Sequence, residues 1–146
     1  MDMVDTERYA RHISLPDVGI TGQKLIDDSR VLVVGAGGLG SPVLMYLAAA
    51  GIGHIGVIDD DAVDPSNLQR QIIHSESAIG RPKVESAKER INSINSAIKV
   101  TTWNARLSPD NAEEILCDWD IVIDGTDNIP TRYLVDDVCN LSLIHI

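Results

Sequence analysis

The apolar residues of this chain fall into short runs, divided by polar stretches and by glycines. Residues 31–34 (VLVV) are a continuous apolar run rich in β-branched side chains, the pattern of a strand buried on both faces. Residues 38–50 are small or apolar with good helix formers, and Gly51 and Gly53 stop that helix. Residues 55–58 repeat the buried-strand pattern and end at Asp59. Residues 98–103 alternate and predict a third strand; 120–124 (DIVID) predict a fourth. Between strands two and three, Val84, Ala87, Ile91 and Ile94 form an apolar stripe on an otherwise charged helix opened by Arg81-Pro82-Lys83. Ser108-Pro109-Asp110 predicts a helix start, with Ser108 as N-cap and Pro109 behind it, running to about residue 117. A further helix is expected over 130–139, and 141–146 reads as the beginning of a fifth strand. Ahead of strand one lie two short helices, over 5–12 (capped by Asp5 or Thr6) and 21–28, with Leu15-Pro16 and Gly19 between them.

This alternation predicts an α/β fold: a Rossmann-like, doubly wound, mainly parallel sheet with right-handed crossovers and an N-terminal helical prefix. Residues 1–29 form the prefix and 30–146 the nucleotide-binding domain, with no linker and no internal repeat. The chain stops where such a sheet would still be growing, so a fragment is expected whose continuation completes the sheet.

Composition narrows the function. At 44% apolar residues the chain is globular. No apolar run has the length of a membrane span, and the polar, acidic start argues against a signal peptide; a cytoplasmic protein is expected. Cys117 and Cys139 lack C-x-x-C spacing and read as two buried, reduced thiols. His12, His54, His74 and His145 show no ligand spacing. Tyr9, Trp103, Trp119 and Tyr133 read as packing residues. A net charge of −10 disfavours nucleic acid as a partner but not a bound nucleotide.

A nucleotide is what the first turn suggests. Gly35, Gly37 and Gly40 give G-x-G-x-x-G between a strand and a helix, where bare backbone can approach phosphate. Asp59, about 20 residues further on, can hold ribose hydroxyls. Such a motif usually marks an NAD site, so an NAD(P)-dependent oxidoreductase is one reading. The rest of the chain favours another. The polar loop after Asp59 is too long for a tight strand–helix turn and carries Arg70. Lys83 stands at a helix front, where a cation opposes the helix dipole unless an anion is near. Arg11 lies on the prefix, and Asp127 at the carboxyl end of strand four. Three cations and a carboxylate above a phosphate loop suit a triphosphate with Mg²⁺, and nucleotidyl transfer rather than hydride transfer.

Six blocks then carry a resemblance: Arg8-Tyr9-x-Arg11, Gly35-Ala36-Gly37-Gly38-Leu39-Gly40, Asp59-x-Asp61, Ser66-Asn67-Leu68-Gln69-Arg70-Gln71, Gly80-Arg81-Pro82-Lys83 and Thr126-Asp127-Asn128. In order and at close spacing, they resemble the ThiF/MoeB family, relatives of the ubiquitin-activating enzymes. The wording of LPDVGITGQKL and DGTDNIPTRYLVDDVC is similar to the branch of adenylyltransferases that serves the sulfur carrier of molybdopterin synthase, with the thiamine branch next. The resemblance implies that the C-terminal Gly-Gly carboxylate of a ubiquitin-like sulfur carrier attacks the α-phosphate of Mg-ATP, giving an acyl-adenylate and pyrophosphate. It places Gly38 and its neighbours around phosphate, Asp59 on the ribose, Asn67 and Arg70 along the ATP site, Lys83 on phosphate and Asp127 on Mg²⁺. Arg11 resembles the family arginine that enters the neighbouring subunit's site, which implies a homodimer. Asp60 and Asp61 are expected to shape the loop. A non-catalytic partner, like the inactive halves of eukaryotic activating enzymes, has no need of Arg70, Lys83 and Asp127. His12 stands where the family usually has glutamine. The family continues beyond Cys139 with a transfer cysteine and two C-x-x-C pairs for structural zinc, so zinc is expected only in that continuation. Cys139 itself is not the transfer cysteine.

Overall fold

The computed structural model describes residues 3–146; the first two residues of the expected prefix lie outside it. Four strands form one parallel sheet in the order β3-β2-β1-β4: β1 (Arg30–Val34), β2 (His54–Ile58), β3 (Lys99–Trp103) and β4 (Ile121–Asp124). Val33 lies opposite Val57 on one side and Ile123 on the other. All four strands are within a residue of where the apolar runs put them.

Side-chain alternation along β1 and β2 divides the core. Val31, Val33, Ile55 and Val57 pack with Leu44 and Ala48 of helix α3 (Gly40–Ala50) and with Val84, Ala87 and Ile91 of helix α4 (Lys83–Ile94). Leu32, Val34, Ile58 and Val122 point the other way, onto α5 (Ala112–Leu116) and α6 (Ile129–Ser142). The two central strands β1 and β2 are buried on both faces, each face roofed by helices, whereas β3 at the sheet edge (KVTTW) is only partly buried. The stripe predicted on α4 is the face that packs: Val84, Ala87 and Ile91 are buried, with Ile94 at its edge.

Several local expectations are corrected. The first prefix helix is shorter than 5–12. Asp5 does cap the segment, its Oδ1 accepting from the Arg8 N–H at 2.9 Å, but α-helical pairing is confined to α1 (Ala10–Ile13). The second helix, α2, starts earlier, at Gly19 (Gly19–Asp28). Ser108 is not the cap of α5: Ser108 to Asn111 is a turn in which the Asn111 side chain accepts from the Ser108 N–H at 2.9 Å, and the helix begins after Asn111. A side-chain amide there competes with helix formation and delays it. Tyr133 lies on the outer face of α6 and is exposed, whereas Tyr9 and Trp119 are buried and Trp103 packs edge-on against Trp119. Cys117 and Cys139 are both free thiols, but Cys117 is exposed at the end of α5; burial of Cys139 raises its pKa. Over 141–146 the helix persists to Ser142, and a single parallel bridge, His145 with Ile121, sets the chain beside β4. No helix among the described residues is long and apolar enough to cross a membrane.

Candidate functional site

The strand order reverses between β1 and β4, since β1 leads outward to β2 and β3 while β4 lies on its other side. Loops leaving the carboxyl ends of neighbouring strands diverge at such a point and leave a crevice. Here it is a cleft of about 730 Å³, lined by the glycine turn after β1, by Asp59 and the loop after β2, by Lys83, by Arg106 after β3, and by Asp127 after β4.

The glycine turn owes its shape to two positions. Gly35 has φ +97°, a left-handed backbone that a side chain would strain. A Cβ on Gly40 would overlap the Gly35 carbonyl, so the helix can start hard against the turn only without one. The Asp59 carboxylate braces the turn from β2. Its Oδ2 accepts from the Ala36 N–H at 2.8 Å and its Oδ1 from the Asp61 N–H at 2.8 Å. Each oxygen keeps a lone pair for a ligand hydroxyl.

The long loop after Asp59 is less free than its composition suggests. Val63 is buried, and residues 61–63 run antiparallel to residues 80–83. The Val63 N–H donates to the Arg81 carbonyl at 2.8 Å and the Lys83 N–H to the Asp61 carbonyl at 2.9 Å. Asp64 caps a single 3₁₀ turn over Pro65–Asn67. This pairing fixes the start of α4 and so the place of Lys83. The Lys83 residue is only 5% exposed, yet among the described residues its ammonium reaches a single carboxylate, Asp61, at 3.3 Å. The Asp61 side chain is 67% exposed.

Of the residues expected at the site, Gly35, Gly37, Gly38, Asp59, Asn67, Arg70, Lys83 and Asp127 all line the cleft. Gly40 supports the turn from behind. Arg11 is exposed on α1 and does not line its own chain's cleft. Asn128, not Asp127, caps α6: its Oδ1 accepts from the Thr131 N–H at 3.2 Å. The Asp127 carboxylate is exposed and makes no hydrogen bond or ion pair among the described residues.

Three contributors were not singled out from the sequence. Arg106 enters from the loop after β3. Gln71 is 4% exposed, and its Oε1 is buried with no hydrogen-bond partner among the described residues. His74 is buried behind the glycine turn, its Nε2 bonded to the Ala36 carbonyl at 2.8 Å and its Nδ1 to Ser86 Oγ at 2.8 Å. Burial lowers its pKa, against an opposing pull from the Ala36 carbonyl, so the ring is neutral at pH 7. The carbonyl can only accept, so Nε2 carries the proton and Nδ1 accepts from the serine hydroxyl.

The donor set suits a nucleotide with its metal. Gln71 and the Arg70 guanidinium lie over Gly37 and Gly38, 3.5 and 3.6 Å from where Cβ atoms would stand. Polar groups thus converge on bare backbone. The cleft holds three cations (Arg70, Lys83, Arg106) against four carboxylates (Asp59, Asp60, Asp61, Asp127). A polyphosphate anion therefore needs positive charge from elsewhere; Asp127, exposed and unengaged among the described residues, is a hard-oxygen donor that could hold a divalent cation.

The chain is similar to known proteins along nearly its whole length. The chain is 51% identical to a probable adenylyltransferase/sulfurtransferase MoeZ of Mycobacterium tuberculosis, over 94% of this chain and 35% of that protein. It is 45% identical to the SAMP-activating enzyme E1 of Haloferax volcanii, over 99% of this chain and 55% of that protein. The chain thus spans about a third to a half of these relatives. Among solved structures, the tRNA N6-threonylcarbamoyladenosine dehydratase TcdA of E. coli, in complex with ATP, superposes with a TM-score of 0.92 at 31% identity, over 99% of this chain and 60% of that one. The ThiF family model matches residues 9–146, and the chain belongs to the ThiF family.

Proposed function

We propose that this chain is the nucleotide-binding part of an adenylyltransferase that activates the C-terminal glycine carboxylate of a ubiquitin-like sulfur carrier, in molybdenum-cofactor or thiamine biosynthesis. The observation that carries the reading is Lys83: a cation nearly buried in a glycine-turn cleft, paired among the described residues with one exposed carboxylate, Asp61. Such a group needs an anion, and the cleft has the size for a nucleotide. That the relatives are named as adenylyltransferase and SAMP-activating enzyme supports the same choice.

The chemistry needs little from the protein beyond placement and charge. A carrier carboxylate is ionised at neutral pH, so no general base is required. Its oxygen forms a bond to the α-phosphorus as the bond from that phosphorus to the β-phosphate oxygen breaks. Pyrophosphate leaves with the electron pair and acyl-adenylate remains. Asp59 orients the ribose, the backbone of Gly37 and Gly38 lies along the phosphates, and Asn67, Arg70 and Lys83 hold the triphosphate and its leaving charge. Asp127 would hold Mg²⁺, which supplies positive charge to the phosphates. Arg11, which does not line its own cleft, serves the cleft of a second copy in a homodimer, adding the cation this site is short of. Structural zinc belongs to the part of the protein beyond this chain, and the reaction is assigned to the cytoplasm. An NAD(P)-dependent oxidoreductase has no use for a buried lysine and an unengaged aspartate at this position, nor has a non-catalytic partner.

The test is ATP–pyrophosphate exchange by the full-length protein with candidate carriers. Carrier-dependent exchange is expected, and Asp127→Ala should lower it on the order of 100-fold or more. Absence of exchange with every carrier sinks the adenylation reading; exchange untouched by Asp127→Ala sinks the metal assignment.

A further inference from the structure

His74 has no part in the chemistry above, yet it is the one buried side chain bonded both to the glycine turn and to the helix that carries Lys83 among the described residues. Its Nε2–H holds the Ala36 carbonyl at 2.8 Å, while the N–H of the same residue is held by Asp59 at 2.8 Å. Ala36 is therefore clamped at both ends, and is itself fully buried. The consequence falls on the next residue. The Ala36 carbonyl and the Gly37 N–H belong to one planar trans peptide and point in opposite directions. A carbonyl drawn inward to His74 turns the Gly37 N–H outward, and Gly37 lines the cleft. On its other side the ring accepts from Ser86, one helical turn beyond Lys83 on α4.

We propose that His74 is a positioning residue for the nucleotide: it aims the Gly37 N–H at a phosphate oxygen and ties that peptide to the helix that places Lys83. This rests on the nucleotide reading given above. Neutrality of the ring suits the role, because a neutral imidazole donates at Nε2 while accepting at Nδ1, and so bridges two elements with one defined tautomer. Lys83 and Asp59 are the charged groups that face it, and their influences on the ring are opposed.

The test uses the full-length protein, a non-hydrolysable ATP analogue and three variants. His74→Leu removes both bonds. Loss of one aimed N–H to a charged phosphate predicts analogue binding about 10- to 100-fold weaker. The KM for the carrier should not move. His74→Gln keeps an N–H that can reach the Ala36 carbonyl and should recover affinity to within about threefold of wild type. In ¹⁵N–¹H spectra the Gly37 amide proton should move downfield on analogue binding in wild type and His74→Gln, and fail to do so in His74→Leu. A purely structural histidine would lower the melting temperature and leave that shift in place. Should His74→Leu not fold, Ser86→Ala, which leaves the ring free to tilt, carries the test with an expected threefold to tenfold loss, roughly one hydrogen bond's worth. Wild-type affinity with an unchanged Gly37 shift in the folded variant overturns the proposal. If wild-type protein itself does not bind the analogue, the nucleotide reading falls, and this proposal with it.

Discussion

Lys83 shows how a single residue can be poor for the fold and right for the site. A buried ammonium loses its hydration, and one partner as exposed as Asp61 returns little of that loss. Methionine fills a similar volume with no charge. Lys83→Met should therefore leave the melting temperature unchanged or raise it by a few degrees. ATP–pyrophosphate exchange should fall on the order of 100-fold in the same variant. A melting temperature several degrees lower would mean that Lys83 is held for stability. The position was legible in the sequence because a lysine at a helix front goes against the dipole. His74 was not legible. Its partners are a backbone carbonyl 38 residues away and a serine on the next helix, and a lone histidine in a polar loop carries no sign of either. Gln71 follows Arg70 in the same polar stretch, and nothing in sequence tells its burial from the exposure of that neighbour.

At the scale of elements, the unit from β1 through the glycine turn to α3 is the most tightly determined. The Gly40 position faces the Gly35 carbonyl, and backbone cannot swing aside as a side chain can. Gly40→Ala should cost about 3 kcal/mol, the upper end for overpacking. It should lower the melting temperature by roughly 10 °C, and it should weaken ATP binding because the turn must open. Gly19→Ala is the control: φ there is +58°, but the space is open, so only about 1 kcal/mol of backbone strain is expected. Equal losses in thermal melts of the two variants would contradict the argument. Strands and the long helices were readable because burial imposes a period on them. The ends were not. The start of α5 was misassigned because Ser108-Pro109-Asp110 has the chemistry of a cap, and only the Asn111 side chain, folding back on the Ser108 N–H, shows that the turn is used otherwise.

For the whole molecule the open question is the second copy. Arg11 is exposed on its own chain while its own cleft is short of positive charge. If Arg11 acts across a homodimer, Arg11→Ala and Asp127→Ala proteins are each inactive, yet mixed dimers contain one cleft with both groups intact. Statistical exchange of subunits then restores about a quarter of wild-type activity. No recovery on mixing, with subunit exchange verified by mass, would place Arg11 outside the reaction. The sequence by itself determined the parallel α/β class, the glycine turn, and most of the charged residues of the cleft, though not Arg106, because strand burial, tight turns and phosphate contact each demand particular residues at particular spacings. The tertiary structure alone decided how they meet. The order β3-β2-β1-β4 sets Asp127 across from the glycine turn. The pairing of residues 61–63 with 80–83 buries Lys83. His74 reaches the back of the turn because the loop before α4 brings it between the Ala36 carbonyl and Ser86. These are contacts between residues distant in the chain, and no local pattern records them. Thus the stretch that reads as an ordinary dinucleotide turn is, in the folded protein, one wall of a cleft whose other walls carry the charge.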